Sequence, residues 1–335
     1  YGDNNPLDAP DYGHGTGEAK DSTAAENGTG EVGGCPGCRF LPVRVGTSFI
    51  ADGGRFAGGV LFSLDSGADV IQEALGTISN PHQAQDAIDA AYRRGVPVVA
   101  SMADEASKHP NLPASLEHTM AVNSVTTREE PAIGGPTVGY LALNGCTNYG
   151  GRTFVTVSSS SCSSEATGHS AGMMGLLQSA AREAGLPRHP DLRGGEGSNV
   201  LSAEEAMQVV RSTADDVDFA TPNDVDPAND FGTPSGGLID TVRYPTTTGW
   251  DATFGYGRIN AYEITTAAPA RRIPPEADLT SPRWFDVAGT QGTLAVEGRV
   301  AAVRADRFDY RVEWAVGLQP PAYPGVDEWH VVAAK

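Results

Sequence analysis

Apolar and polar positions alternate along this chain in blocks that favour strands and helices in turn. Short apolar runs at residues 39–45, 69–73, 96–101 and 118–125 have the length and composition of buried strands. Between two of these runs, residues 81–94 are predicted to form a helix. Strands that alternate with helices in this way indicate a parallel sheet covered by helices on both faces.

The second half of the chain begins with helices and ends with strands. Helices are predicted over residues 164–184 and from 202 to about 212, the latter because Ser-Ala-Glu-Glu is a capping-box pattern. Residues 292–300 and 310–314 alternate with period two and resemble strands of a small, incomplete β-sandwich. We therefore predict three parts: an α/β domain at 1–266, a linker at 267–279 and a β-rich domain at 280–335.

The charge balance narrows the possible partners. The 335 residues include 42 acidic and 23 basic side chains, which give a formal net charge of −19. This acidic excess argues against a nucleic-acid partner, because phosphate binding requires clustered lysine and arginine. No apolar run approaches the ~18 residues needed to cross a bilayer. We therefore expect neither a nucleic-acid partner nor a membrane span.

Two short segments carry the candidate chemistry. His14 stands between Gly13 and Gly15 at a predicted helix start, and Ser164 stands where a serine-rich segment meets the next apolar helix. A serine at a helix start is first of all a capping residue, since its oxygen accepts an orphan N–H. The same place suits a nucleophile, because a nearby base can take its proton and exposed N–H groups can stabilise an oxyanion.

The four cysteines form two local pairs. Cys35 and Cys38 flank a Pro-Gly turn, and Cys146 lies 16 residues before Cys162. An even count at local spacing fits two disulfides in an exported, oxidised protein. Zinc and free thiols are the alternatives; the second pair lacks the spacing of a zinc half-site, so no metal ligands are assigned.

Several blocks in a fixed order carry a resemblance to a known family. These blocks are residues 11–16, 40–45, 68–76, 95–105, 163–172 and 249–261. In this order they resemble the subtilisin-like serine proteases, the subtilases, over roughly residues 5–264. The resemblance implies a subtilisin-like parallel sheet flanked by helices on both faces.

The resemblance also implies a function and a site. Ser164 would attack a peptide carbonyl to form an acyl-enzyme, and His14 would be the general base. The implied activity is that of a secreted serine endopeptidase acting on a peptide or protein substrate, with no cofactor required. Substrate would bind as an added strand. The cleft walls implied by the resemblance are Ala74, Leu75 and Gly76 on one side and Ser101, Met102 and Ala103 on the other.

This chain departs from the family pattern at two functional positions. The strand with the triad aspartate belongs well before the His14 block, so we expect that aspartate upstream of Tyr1, on a preceding segment or a companion chain. Asp11 is too close to His14 along the chain to reach the far ring nitrogen. Asp104 stands where most subtilases have the asparagine that donates to the oxyanion; a protonated carboxyl could donate there instead.

Three other interpretations stay open at this stage. The chain could be a catalytically impaired subtilase-fold protein with a binding or scaffolding role. A lipase or esterase fits less well, because no G-x-S-x-G elbow surrounds Ser164. Calcium as a structural ion is possible in the acidic stretch at 214–248, since carboxylate oxygens are its preferred ligands. The acidic residues concerned are Asp215, Asp216, Asp218, Asp224, Asp226 and Asp230.

Overall fold

A computed structural model gives the fold. It describes residues 5–7, 13–77, 79, 81–109, 111–131, 137–192, 199–217, 246, 248–283, 286–287, 289, 292–315 and 329–335. The helices are α1 (His14–Thr23), α2 (Gly53–Asp65), α3 (His82–Arg93), α4 (Ser163–Glu183), α5 (Ala203–Thr213) and α6 (Ala261–Ala267). The strands are β1 (Ile50–Ala51), β2 (Ile71–Glu73), β3 (Gly76–Thr77), β4 (Val98–Ser101), β5 (Thr119–Pro131), β6 (Thr137–Leu143), β7 (Val155–Ser158), β8 (Glu276–Ser281), β9 (Glu297–Ala301), β10 (Arg311–Trp314) and β11 (His330–Ala334).

The central sheet is mainly parallel. Strands β2, β4, β5 and β7 pair in that spatial order and all run the same way, while β6 folds back antiparallel against β5. In this register Val99 lies between Gln72 of β2 and Met120 of β5. Parallel neighbours require crossover connections, which α3 supplies between β2 and β4. The predicted α/β class and its parallel sheet are confirmed.

Helices cover both faces of this sheet. On one face α2 and α3 pack on the sheet through a cluster that includes Phe56, Ile88 and Val98. On the other face α4, α5 and α6 enclose a larger cluster that includes Leu177 and Ile264. The strands between them are buried on both sides, which explains their continuous apolar sequences.

Helices α1 and α4 cross at very close range. An added Cβ at Gly172 of α4 would lie 2.7 Å from the Gly34 Cα atom and 2.8 Å from the Ser22 carbonyl oxygen. Only glycine leaves room for this backbone approach. The crossing brings the first turn of α1, which contains His14, beside the first turn of α4.

The C-terminal strands form two antiparallel pairs, β8 with β9 and β10 with β11. Strand β8 begins at Glu276, inside the stretch predicted to be a linker, and its first side chain is buried. Buried ionic contacts join this part to the helices. Glu276 lies 3.1 Å from His189, and Arg304 lies 2.8 Å from Glu205.

A second ionic cluster holds β8 against α3. The two ring nitrogens of His118 lie 2.8 Å from Asp89 of α3 and 3.1 Å from Asp278 of β8. Arg283 reaches the other oxygen of Asp89 at 3.1 Å. We name these four residues, His118, Asp89, Asp278 and Arg283, the His118 cluster.

The strand predicted over residues 39–45 is absent: these residues form no strand, because no neighbouring strand pairs with them among the described residues. Most of the acidic stretch, including Asp218, Asp224, Asp226 and Asp230, lies outside the described residues. Asp215 and Asp216 are described, and no group of metal-ligating side chains occurs within the described ranges.

Candidate active site

The fold brings the two candidate reacting groups together. His14 Nε2 lies 3.2 Å from Ser164 Oγ, although the two residues are 150 positions apart in the chain. His14 is the first residue of α1, and the preceding Gly13 adopts a φ of 63° that favours glycine. Ser164 is the second residue of α4. Two helix starts therefore face each other, and a base lies within hydrogen-bond reach of a hydroxyl.

The start of α4 is held in place by β4 and the turn after it. Ser163 Oγ lies 2.7 Å from Ser101 Oγ, at the end of β4, and both side chains are buried. The N–H and the hydroxyl of Ser163 donate to Asp104 Oδ1 at 2.8 and 2.6 Å. Asp104 thus accepts two hydrogen bonds through one oxygen beside the nucleophile. An oxyanion role for Asp104 stays a prediction.

Disulfide pairing also acts on the loop before Ser164. The structure pairs Cys146 with Cys162, with Cα atoms 5.8 Å apart, and Cys35 with Cys38, 5.3 Å apart. The Cys146–Cys162 disulfide links the residue just before α4 to the loop that follows β6. It therefore restrains the segment from which Ser164 projects.

The expected cleft residues differ in their contacts and exposure. Gly76 N–H already donates to the Phe49 carbonyl at 2.7 Å, because β1 pairs with β3. Asn111 donates to the Leu75 carbonyl at 3.2 Å. The side chain of Met102 is fully buried, so only backbone at that position could face a substrate. The substrate role of Ala74, Leu75, Gly76, Ser101, Met102 and Ala103 stays a prediction.

A groove of about 990 Å³ opens beside His14, between the extended residues 39–46 and strand β2. Two buried side chains of its lining have polar atoms without a hydrogen-bond partner among the described residues. These atoms are Oε1 of Glu73 and both amide atoms of Gln178. Burial also raises the pKa of Glu73 well above its ordinary value. Orphaned polar atoms of this kind are rare in completed interiors.

Sequence reasoning missed one ionisable neighbour of the pair. Glu18 Oε1 lies 3.5 Å from His14 Nε2, and the Glu18 side chain is only 13% exposed. Burial and the neighbouring Asp21 carboxyl raise the pKa of Glu18 to about 8. The sequence signal that could have found Glu18 is its position four residues after His14 on the predicted helix, because that spacing places the two side chains on the same face.

The fold and the site together define a class of protein: a parallel α/β sheet with a serine and a histidine in contact at two helix starts. Comparison with known proteins gives the family. The sequence profile of the subtilase family matches residues 1–257, and the chain belongs to that family. No helix among the described residues combines the length and apolarity needed to cross a membrane.

The relatives in sequence include a named serine proteinase. The chain is 33% identical over 187 residues to thermitase of Thermoactinomyces vulgaris, covering 54% of this chain and 67% of thermitase. It is 27% identical over 270 residues to a thermophilic serine proteinase of Bacillus sp. (strain AK1), covering 79% of this chain and 54% of that protein. The chain thus spans only about half the length of the second relative.

Solved structures support the fold. The prenylagaramide maturation protease PagA superposes with a TM-score of 0.53 at 15% identity, over 78% of this chain and 84% of that one. The patellamide maturation protease PatA gives a TM-score of 0.52 at 15% identity, over 75% and 82%. At this identity the likeness concerns the arrangement of helices and strands alone.

Proposed function

We propose that this chain carries the catalytic site of a secreted serine endopeptidase. Ser164 is the nucleophile that attacks a peptide carbonyl, and His14 is the general base that takes the hydroxyl proton and returns it to the leaving amine. The observation that carries the proposal is the 3.2 Å contact between His14 Nε2 and Ser164 Oγ. Family membership and the serine proteases among its relatives support the same chemistry.

Two observations support secretion. The structure pairs all four cysteines as disulfides, which persist in oxidising compartments. A relative from Bacillus subtilis (strain 168), 29% identical over 175 residues, is named minor extracellular protease Epr. No cofactor enters the proposed mechanism, because the serine, the base and backbone donors supply the acyl-transfer chemistry.

The groove supports a partner for the site. We propose that an extended segment, from a preceding part of a longer chain or from a companion chain, lies between residues 39–46 and β2. Its backbone would pair with the free edge of β2 and supply partners for Glu73 and Gln178. An aspartate at its end would accept a hydrogen bond from Nδ1 of His14 and hold the imidazole in the productive tautomer.

A fluorophosphonate probe tests the proposed pair directly. In a chain that contains the triad aspartate the probe should label Ser164, and Ser164→Ala and His14→Ala should abolish labelling. Ser158→Ala, an exposed serine at the end of β7, is the matched control and should label normally. Absence of labelling in a chain that contains the triad aspartate would favour the binding or scaffolding role instead.

A synthetic strand tests the proposed partner. Addition of the peptide Ala-Val-Ala-Val-Asp should speed labelling of Ser164, whereas the same peptide ending in asparagine should not. Loss of the orienting carboxylate costs about ten-thousand-fold in related triads, so the difference between the peptides should be large. If the labelling rate is the same with the aspartate peptide as with the asparagine peptide, or as without any peptide, the proposal of a strand-borne aspartate in this groove is wrong.

A further inference from the structure

The side chain of Glu18 is directed at the proposed catalytic pair. It lies one helical turn after His14 on α1, and its Oε1 atom is 3.5 Å from His14 Nε2. The Glu18 backbone carbonyl accepts a hydrogen bond from Gln72 of β2 at 2.9 Å, which fixes this turn of α1 against the sheet. The second carboxyl oxygen, Oε2, is buried and has no hydrogen-bond partner among the described residues.

Charged groups surround this carboxyl on three sides. Asp21 lies on the same helix, Glu165 lies on the first turn of α4, and Asp104 follows β4. After burial, the charge of Asp21 and a hydrogen bond between the two carboxyl groups are the next largest causes that raise the pKa of Glu18, to about 8; Glu165 and Asp104 add to them. Burial raises the pKa of Asp21, and His169 on α4, which lies 3.5 Å from Glu165, opposes that rise.

We propose that Glu18 is a positioning residue for His14: its carboxylate form stabilises the imidazolium that forms when Ser164 reacts, and its protonated form, which shares a hydrogen bond with Asp21, does not. The inference rests on the proposed function. When Ser164 attacks, its hydroxyl proton passes to His14 Nε2, and Glu18 itself neither gains nor loses a proton. The new cation then lies 3.5 Å from the Glu18 carboxylate. An opposite charge at that distance favours the charged imidazole.

Glu18 does not replace the triad aspartate. Its carboxyl faces Nε2, the nitrogen that also contacts Ser164. An orienting carboxylate must accept a hydrogen bond from Nδ1, on the other side of the ring. Glu18 therefore adds a second ionisation to the site, and activity should require the deprotonated forms of both His14 and Glu18.

The pH dependence of Ser164 labelling by the fluorophosphonate tests this role. A group with a pKa of about 8 is about one-tenth ionised at pH 7 and about nine-tenths ionised at pH 9. Labelling of the wild-type protein should therefore rise about tenfold between these pH values. In Glu18→Ala the ionisation of Glu18 is absent, so the rise should be less than about twofold. Glu26→Gln, an exposed acid just after α1, is the matched control and should keep the tenfold rise.

A titration of the His14 ring by NMR tests the coupling without any need for catalysis. The His14 resonances, assigned by their loss in His14→Asn, should shift in two steps, with the upper step near pH 8. Glu18→Gln should leave a single step. Asp21→Asn should move the upper step to lower pH, because the Asp21 charge is one cause of the raised pKa.

The two measurements separate the possible failures. A two-step His14 titration in a protein that the probe never labels would refute the proposed function and leave the coupling of Glu18 to His14 standing. A single, identical step in the wild-type protein and in Glu18→Gln would overturn the inference about Glu18. A labelling profile that rises less than twofold from pH 7 to pH 9 in the wild-type protein would overturn it as well.

Discussion

The His118 cluster should make the stability of this protein depend on pH above neutrality. Burial alone lowers the pKa of His118, but hydrogen bonds to Asp278 and Asp89 outweigh it and raise the pKa from 6.5 to about 9. The side chain is 15% exposed, so solvent screens these contacts little. The difference between 6.5 and about 9 corresponds to about 3 kcal/mol of folding free energy.

The sign follows from the direction of the pKa change. A group whose pKa is raised on folding binds its proton more tightly in the folded state, so its contribution is complete below about pH 6.5. That contribution decreases as the pH rises through about 9, and about 2 kcal/mol of it is lost between pH 7 and pH 9. Asp89 has a lowered pKa, largely from its hydrogen bond to His118 acting against burial, so its own titration falls in acid and outside this window.

Urea denaturation followed by tryptophan fluorescence measures the effect. We expect the difference in unfolding free energy between the wild-type protein and His118→Gln to be largest near pH 6 and to shrink towards pH 9. His82→Gln is the matched control, because His82 is the exposed first residue of α3. A difference that stays constant from pH 6 to pH 9 would refute the assignment of this ionic cluster to stability.

Three further changes test single contacts. Ser202→Ala removes the hydroxyl that accepts the Glu205 N–H at the start of α5 and donates to Glu276, and it should cost at least about 1 kcal/mol in urea denaturation; an unchanged midpoint would contradict these contacts. Gly172→Ala should lower the melting temperature and slow labelling of Ser164. Gly175→Ala is the comparison and should have a smaller effect, because the atoms nearest to its added Cβ are side-chain atoms of Cys38 and Cys35, with Cys38 Sγ at 3.0 Å. Asp104→Asn keeps an acceptor for Ser163 and places an N–H donor at the position of Oδ2; labelling should speed up by about a hundredfold. No change in that rate would place the oxyanion donors elsewhere.

The elements that sequence predicts well are those with local signals. Helix α5 begins where the capping box indicates, and β4 and β5 coincide with apolar runs that are buried on both faces. The pairing of His14 with Ser164 was predicted from motifs in a fixed order, because no local pattern connects residues 150 positions apart. Order and motif identity supplied the long-range information that periodicity lacks.

The elements that sequence predicts poorly depend on partners far away in the chain. Residues 39–45 have the apolar pattern of a strand, but a strand needs a hydrogen-bonded neighbour, and the groove beside β2 lies where one would fit. Glu276 looked like part of a polar linker, yet His189 and Ser202 bury its carboxyl. Both cases concern polar groups whose partners are known only after folding.

Three separate segments of the chain fix the first turn of α4. Helix α1 supplies His14 to Ser164, the end of β4 supplies Ser101 to Ser163, and the turn after it supplies Asp104 to the same residue. The contacts order the Ser164 hydroxyl and both the hydroxyl and the N–H of Ser163, so the position of the nucleophile is fixed from several sides at once. A change in any of these segments should therefore alter reactivity at Ser164 before it unfolds the sheet, since the large apolar clusters lie on the two faces of the sheet and do not include these residues.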